Sequence, residues 1–428
     1  MEKINVVVSC PIDTYSGYGA RSRDVVKALI ETGKYNVKVL AQRWGSTRFG
    51  YLEDHNELEL RSIIIPNITA KPDVWIQITV PNEFQPIGKF NIGITAGIET
   101  TACDPSWIEG CNRMNLILTS SNHSKNVFQT TAYSTEQQGR PAGKLKLTTP
   151  VEVLFEGVDL EKYWKTDTKG NMEINLALDT LEESFCYLFV GHWLQGELGE
   201  DRKNIGYTVK MFLETFANKK QAPALVLKTQ SANASILDRN KMLETINSIR
   251  KQVKGTLPNI YLLHGEISDS EMNELYNHPK VKAMVNLTKG EGFGRPLLEF
   301  STVNKPIITS NWSGHTDFLS TDYNVMVGGK LTNVHPSAAV KNIILEDSQW
   351  FTPNDNEVVF AFKDVVENYK KYSELAKRQG YRTRTEFSYE KMREQLDSIL
   401  STTLPSFPKE VSLSLPTLQL PKLQKIDG

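Results

Sequence analysis

Val281–Glu299 constrains this chain more than any other segment. The apolar run Val281 to Leu287 leads into a turn with glycines at 290, 292 and 294, and Pro296 then opens a helix holding Leu297, Leu298 and Glu299. Proline suits a first helical turn because its missing N–H is not needed there. Strand, glycine turn and helix form the building unit of an α/β sheet. The turn aims unpaired backbone N–H groups and a positive helix end at whatever sits above it, which suits an anion. Glu291 and Glu299 bracket the turn with seven residues between them. Helical rise would separate the two carboxylates by roughly 12 Å. One could then hold hydroxyls on each side of a diphosphate, the shape of a nucleotide sugar.

The same unit repeats along the chain. At 428 residues the length exceeds what one core usually fills, so two domains are expected. Strand-like runs fall at Ile4–Cys10, Val37–Leu40, Asp73–Thr79, Phe90–Thr95, Asn115–Thr119 and Val151–Phe155. A second series falls at Phe185–Gly191, Ala224–Lys228, Ile260–Leu263, Val281–Leu287 and Pro306–Thr309. Helical periodicity marks Arg23–Thr32, Asn204–Phe216, Leu237–Val253 and Asp269–Tyr276. Short apolar strands alternating with helices predict parallel sheets covered on both faces. Ser134–Thr149, polar and rich in breakers, reads as a loop, and Lys165–Glu182 as a linker. Glu357–Leu400 reads as nearly continuous helix broken near Gly380. The expected division is 1–168, 183–370, crossing helices over 371–400, and a tail over 401–428. With four prolines and no period, that tail reads as disordered or as a docking arm.

Composition narrows the classes. A net charge of −1 gives no global attraction to nucleic acid or an anionic membrane. Cys10, Cys103, Cys111 and Cys186 lack metal-type spacing and read as reduced thiols, an expectation of a cytoplasmic protein. Ile4–Val8 is too short for a signal-peptide core, and no window reaches the length of a membrane span. The region from Lys363 to Arg393 interleaves its basic residues with Glu367, Glu374, Glu386 and Glu390, the pattern of a solvated helix rather than a nucleic-acid track.

Gly290–Glu299 resembles the E-x7-E signature of the GT4 retaining glycosyltransferases. These are enzymes of the GT-B fold, an α/β architecture of two Rossmann-like doubly wound domains facing a cleft, with C-terminal helices crossing back to the first domain. The resemblance implies metal-independent transfer of a hexose from a nucleotide-diphosphate sugar, with no bound cofactor. Residue by residue, it implies that Glu291 contacts the sugar and Glu299 the ribose. Gly292, Phe293 and Gly294, with Arg295, would face the diphosphate. Gly17 and Gly19 in Ser16-Gly17-Tyr18-Gly19 correspond to the family's first-domain glycine loop. Glu99, in a strand-end turn before Pro105-Ser106-Trp107, corresponds to a first-domain group near the reacting centre, and His123 opens the helix after it. Arg202 and Lys203 match the basic clamp on the leaving diphosphate. Gly265 and Ile267 match the turn that reads the nucleobase. Ser310-Asn311-Trp312-Ser313-Gly314 matches a further family turn, and Asp317 reads as a helix-start residue beside it.

One departure concerns the clamp: His192 stands where the family has an arginine, before a longer acidic loop with Glu197, Glu200 and Asp201. Lys203 is therefore expected to carry more charge, with Arg202 or Arg295 standing in. Loss of Lys203 is expected to spare folding, because its loop is polar, and transfer to rise toward pH 6 if His192 faces the phosphates. A dehydrogenase or epimerase is disfavoured, because Gly17-Tyr18-Gly19 has Ser22 where a third glycine is needed. Two alternatives stay open: a viral-type transferase acting on hydroxylated DNA bases in a host cytoplasm, and a non-catalytic nucleotide-sugar or glycan binder. The acceptor, whether glycan, protein, lipid or modified nucleic acid, is not named by the residues.

Overall fold

The structure, a computed structural model, describes residues 3–137, 140–168, 172–231 and 234–407. The first sheet contains β1 (Ile4–Cys10), β2 (Tyr35–Ala41), β3 (Val74–Ile78), β4 (Phe90–Thr95), β5 (Leu116–Thr119) and, after a hairpin of β6 (Ala132–Gln137) and β7 (Arg140–Lys146), β8 (Val151–Val153). Its order is β2-β1-β3-β4-β5-β8, with all neighbours parallel. Val6 and Val8 stand beside Val37 and Val39. These four face Val25, Val26 and Leu29 of α1 (Gly17–Glu31). Two short helices, α2 (Tyr51–Asp54) and α3 (Leu58–Ser62), follow β2. On the other face, Val7 and Trp75 pack with Trp107 of α4 (Pro105–Asn112) and Phe128 of α5 (Asn122–Thr130). Burial on both faces is why the strands are apolar throughout rather than alternating.

The second half begins with α6 (Glu173–Asp179) and β9 (Cys186–Val190), then α7 (Ile205–Phe216), β10 (Ala224–Lys228), α8 (Ile236–Gln252), β11 (Ile260–Leu263) and α9 (Asp269–Asn277). It continues through β12 (Val281–Asn286), α10 (Arg295–Ser301), β13 (Ile307–Ser310) and β14 (Val325–Val327). The order β11-β10-β9-β12-β13-β14 is again wholly parallel. An antiparallel hairpin, β15 (Gly329–Asn333) with β16 (Gln349–Pro353), precedes α11 (Asp355–Glu367), α12 (Tyr369–Glu386) and α13 (Tyr389–Thr403).

The chain crosses between the halves twice, and the crossings touch. Val158 N–H donates to Phe387 O at 2.9 Å, and Tyr389 N–H donates to Val158 O at 2.8 Å. Gly157 allows this, since a Cβ there would lie 2.6 Å from the Tyr389 α-carbon. Beyond the crossing, Met392, Leu396 and Leu400 of α13, one helical face, enter the core of the first sheet. Lys34–Asp397 at 2.6 Å and Glu31–Arg393 at 2.7 Å flank that face.

Several elements differ from expectation. The loop expected over Ser134–Thr149 contains the β6–β7 hairpin, in which Tyr133 pairs with Leu145 and its hydroxyl donates to Cys103 O at 2.7 Å. The expected linker holds α6, whose Ile174 and Leu178, four apart, are buried in the second core. Gly380 does not break the helix. A Cβ there would sit 2.1 Å from Asn304 Oδ1, so glycine lets α12 lie against the end of α10. The breaks fall instead at Asn368 and Phe387. Of the tail expected over 401–428, residues 401–403 continue α13 and Leu404 and Phe407 pack against the first core, so those residues are ordered parts of the domain, while the reading over 408–428 lies outside the described residues. No described helix is long and apolar enough to cross a membrane.

Candidate active site between the two sheets

In each sheet the strand order reverses direction once, between β1 and β3 in the first and between β9 and β12 in the second. Open parallel sheets bind ligands outside the carboxyl ends of strands at such points. Ser16 and Glu99 follow β1 and β4, while His192, Arg202, Lys203 and Glu291 follow β9 and β12.

Two hydrogen bonds bring the basic pair to Glu291. Lys289 N–H donates to Arg202 O at 2.8 Å, and the Asn204 side chain donates to Leu287 O at 3.0 Å. Lys203 Nζ then lies 2.5 Å from Glu291 Oε1, and Arg202 Nη1 lies 3.4 Å from Oε2. Both Lys203 (9 % exposed) and Glu291 (4 %) are buried. Burial alone would raise the Glu291 pKa, but Lys203 and Arg202 outweigh it and hold the carboxylate at about 2. Burial pushes the Lys203 ammonium downward, against the pull of Glu291. Ser313 Oγ accepts from Glu291 N–H at 2.9 Å, fixing the turn.

Arg202 also faces the first domain. It donates to Gly290 O at 2.7 Å, and Nη2 lies 3.8 Å from Glu99 Oε1. Around this contact the two glycine turns meet backbone to backbone. A Cβ on Gly292 would stand 2.2 Å from Ala96 O, and one on Gly290 would stand 1.9 Å from Glu99 O. Ser120 Oγ bridges the seam, 2.7 Å from Ala96 O and 3.0 Å from Gly292 O. Asn122 N–H donates to Asp317 at 2.7 Å, and Thr101 exchanges hydrogen bonds with Gln349.

Beside the seam lies a cavity of about 680 Å³, lined among others by Ser16, Gly17, His192, Arg295, Leu298 and Glu299. Burial pushes the Glu299 carboxyl up to about 8 even though Arg295 opposes this, and the Tyr276 hydroxyl donates to it at 3.2 Å. Burial lowers the His192 pKa, and the ammonium groups of Lys203 and Lys228 lower it further. With Nδ1 3.2 Å from Ser231 O, Nδ1 carries the proton of the neutral ring and Nε2 is an acceptor. Burial and these ammonium groups disfavour a cationic His192, whereas Arg202 stands beside Lys203 at Glu291.

Other expected residues are placed differently. Arg295 is turned to the first domain: Nε donates to Glu156 at 3.0 Å and another nitrogen pairs with Asp24. It is thus a bridge between domains rather than a free diphosphate cation. The Phe293 ring packs in the core, 4.9 Å from Phe318. Gly294, at φ 101°, caps α10. Glu291 precedes that helix by four residues, so the helical separation of the two glutamates does not apply. The Ser16–Gly19 segment is not a loop but the start of α1, with Ser16 Oγ accepting from Gly19 N–H at 2.9 Å. Gly17 lines the cavity, whereas Gly19 is required by Thr14 O, which a Cβ would approach to 2.2 Å.

Gly265 and Ile267 form the turn before α9, away from the cavity lining. Burial holds the His123 pKa at about 4; its ring lies 4.7 Å from Trp312 and its buried Nε2 has no hydrogen-bond partner among the described residues. Sequence reasoning missed Asp24, Glu156, Ser120, Ser313 and Tyr276. Of these, Ser313 stood in the Ser310–Gly314 turn without a role assigned to it.

No protein-family model and no curated protein matches the chain. Solved structures do. The chain is similar to sucrose-phosphate synthase from Thermosynechococcus elongatus at 11% identity and a TM-score of 0.61, over 94% of this chain and 99% of that one. It is similar to HepE of Anabaena, solved in complex with UDP-glucose, at 13% identity and 0.62, over 93% and 100%. It is also similar to trehalose 6-phosphate synthase from Burkholderia multivorans at 10% identity and 0.59, over 94% and 99%. At such identities the likeness establishes architecture, and with the paired parallel sheets and returning helix α13 it establishes that this chain has the GT-B fold, two Rossmann-like domains facing a cleft.

Proposed function

We propose that the protein is a glycosyltransferase that moves a hexose from a nucleotide-diphosphate sugar to a hydroxyl acceptor with retention of configuration. One observation carries the reading: a desolvated Lys203–Glu291–Arg202 cluster at the carboxyl ends of β9 and β12, faced by Glu99 from the opposite domain. The donor's ribose and diphosphate would occupy the cavity at Glu299 and Gly17. Glu291 would hold sugar hydroxyls, and Lys203 with Arg202 would take up charge as the diphosphate leaves. In the step, the bond between the anomeric carbon and the diphosphate oxygen breaks, with its electron pair passing to the diphosphate. The acceptor oxygen bonds to the anomeric carbon on the same face, and its proton passes to the leaving diphosphate. Fixed cations in a water-poor site stabilise such developing charge far better than water does. No protein nucleophile is assigned.

The test is release of nucleoside diphosphate from a panel of nucleotide sugars, with the anomeric configuration of the product read by NMR. Release by the wild type and its loss in Glu291→Gln supports the reading. Nucleotide-sugar binding without turnover, for every donor and acceptor offered, would leave a binding protein instead.

A further inference from the structure

Among the described residues, six other than glycine have a clearly positive φ, and five of them are asparagines at φ 53° to 63°. Asparagine tolerates that left-handed range. The sixth is Ser313, at φ 80° and ψ −161°, a corner of backbone space that is essentially confined to glycine. Ser313 lies in the turn after β13 and is only 3 % exposed, so the conformation belongs to a packed turn. A strained residue persists only where its surroundings hold it, and such residues gather at functional sites.

Here the strain sets two groups on one peptide. Ser313 Oγ accepts from Glu291 N–H at 2.9 Å, and Gly314 N–H donates to Glu291 O at 2.9 Å. Gly314 permits the approach, since a Cβ there would stand 2.0 Å from Gly292 O. Behind the turn, Ser313 O accepts from Thr316 N–H at 3.1 Å and from the Thr316 hydroxyl at 2.7 Å. Turning Ser313 to a negative φ would swing the hydroxyl and the Gly314 N–H away from residue 291. The buried Glu291 N–H would then lose its acceptor, which native structures rarely tolerate. Glu291 is thus held at both ends: its peptide by Ser313 and Gly314, its carboxylate by Lys203 and Arg202.

We propose that Ser313 is a positioning residue for sugar transfer: it keeps a strained backbone so that its hydroxyl fixes the Glu291 peptide, and through it the carboxylate that faces the sugar. The inference rests on the nucleotide-sugar reading. Glycine would take up this φ and ψ without strain and would keep the Gly314 bond, but it offers the Glu291 N–H no acceptor. Serine gives up stability at this position and gains a fixed Glu291. Small misplacements of a group at the reacting centre are enough to slow a reaction many-fold.

Ser313→Ala and Ser313→Gly separate the strain from the hydrogen bond, because alanine loses only the acceptor while glycine loses the acceptor and the strain. Ser313→Gly should unfold at a higher urea concentration than Ser313→Ala, yet kcat should fall at least tenfold in both. Donor KM and the calorimetric affinity for nucleoside diphosphate should stay within twofold of the wild type, since the cavity at Glu299 is untouched. Amide hydrogen exchange in the peptide that contains Glu291 should quicken in both variants. A serine that served folding alone would let turnover recover along with stability in Ser313→Gly, and that recovery overturns the proposal. So does a Ser313→Gly no more stable than Ser313→Ala, or a loss of donor affinity as large as the loss of kcat. A wild type that releases nucleoside diphosphate from none of the nucleotide sugars overturns the transferase reading and this inference with it, whereas an active wild type with an equally active Ser313→Gly overturns the inference alone.

Discussion

Arg202 stands between two carboxylates from opposite domains, 3.4 Å from Glu291 and 3.8 Å from Glu99. Its position makes the charge of the site depend on how the domains meet. With the domains together, Glu99 and Glu291 both draw on the same guanidinium. As they part, Arg202 and Lys203 keep Glu291 alone.

Lys203 was expected to be dispensable for folding, but it is buried against Glu291. Removing one member of a buried pair costs about 3–5 kcal/mol, so Lys203→Ala should lower the denaturation midpoint. Lys203→Met with Glu291→Met should regain most of that stability and no turnover. Chemical denaturation and diphosphate release, measured on all three, check this; equal stability of wild type and Lys203→Ala would contradict it.

The two glutamates should separate in binding assays. Glu299 lines the cavity and Glu291 lies at the seam. Glu299→Ala is expected to weaken nucleoside diphosphate by roughly 0.5–1.5 kcal/mol, the net range for a hydrogen bond between uncharged groups, because burial keeps this carboxyl protonated up to about pH 8. Glu291→Ala should leave that affinity within twofold and suppress transfer. Equal losses in calorimetry would remove the assignment.

Stability should depend on pH through Glu299. Its folded pKa is raised from 4.5 to about 8, so between those values the folded chain holds a proton the unfolded chain has released. Stability attributable to this group falls as pH rises through that window and is flat above it. Glu299→Gln has no such proton, and its stability relative to wild type should climb between pH 5 and 8. A constant difference in urea titrations across that range would show Glu299 to be ionised.

His192 should be silent in the pH profile. Burial and two nearby ammonium groups depress its pKa, so lowering the pH toward 6 charges it less than it would a free imidazole. Turnover of wild type and His192→Gln should follow parallel curves from pH 6 to 8, against the rise expected from the sequence. A wild-type rise that the variant lacks would restore the histidine to the clamp.

Gly292→Ala should hold the cleft open. Its methyl group would meet Ala96 O while leaving both domain cores untouched. The expected result is a larger radius of gyration by small-angle scattering and a fall in turnover, with nucleoside diphosphate affinity changed less than the turnover.

What could be read in advance was local. The strands from Ile4–Cys10 to Pro306–Thr309 announced themselves because both faces are buried, and Glu291 and Glu299 stood in a motif with fixed spacing. Relationships between distant segments left no such mark. Asp24 on α1 looks like any solvated helix aspartate until Arg295 arrives from the other domain. The β6–β7 hairpin was hidden because its described exposed positions include Ser134, Lys144 and Lys146, while among the described side chains Tyr133 and Leu145 meet the core. Gly19 looked like a ligand-facing glycine, but packing against Thr14 O explains it. Gly380 looked like a helix breaker for a related reason: close approach by another element is written in the partner, Asn304, rather than in the glycine's neighbours.

The paired crossings at Val158 and Tyr389 act as the spine of a book. Two chain segments hydrogen-bonded side by side resist sliding and separation, so the halves are left with rotation about the line they share. Widening of the cleft then grows with distance from the spine. The cavity borders it through Gly157, Val158 and Tyr389, so a small swing that frees the far edge for an incoming acceptor leaves this inner margin almost unmoved.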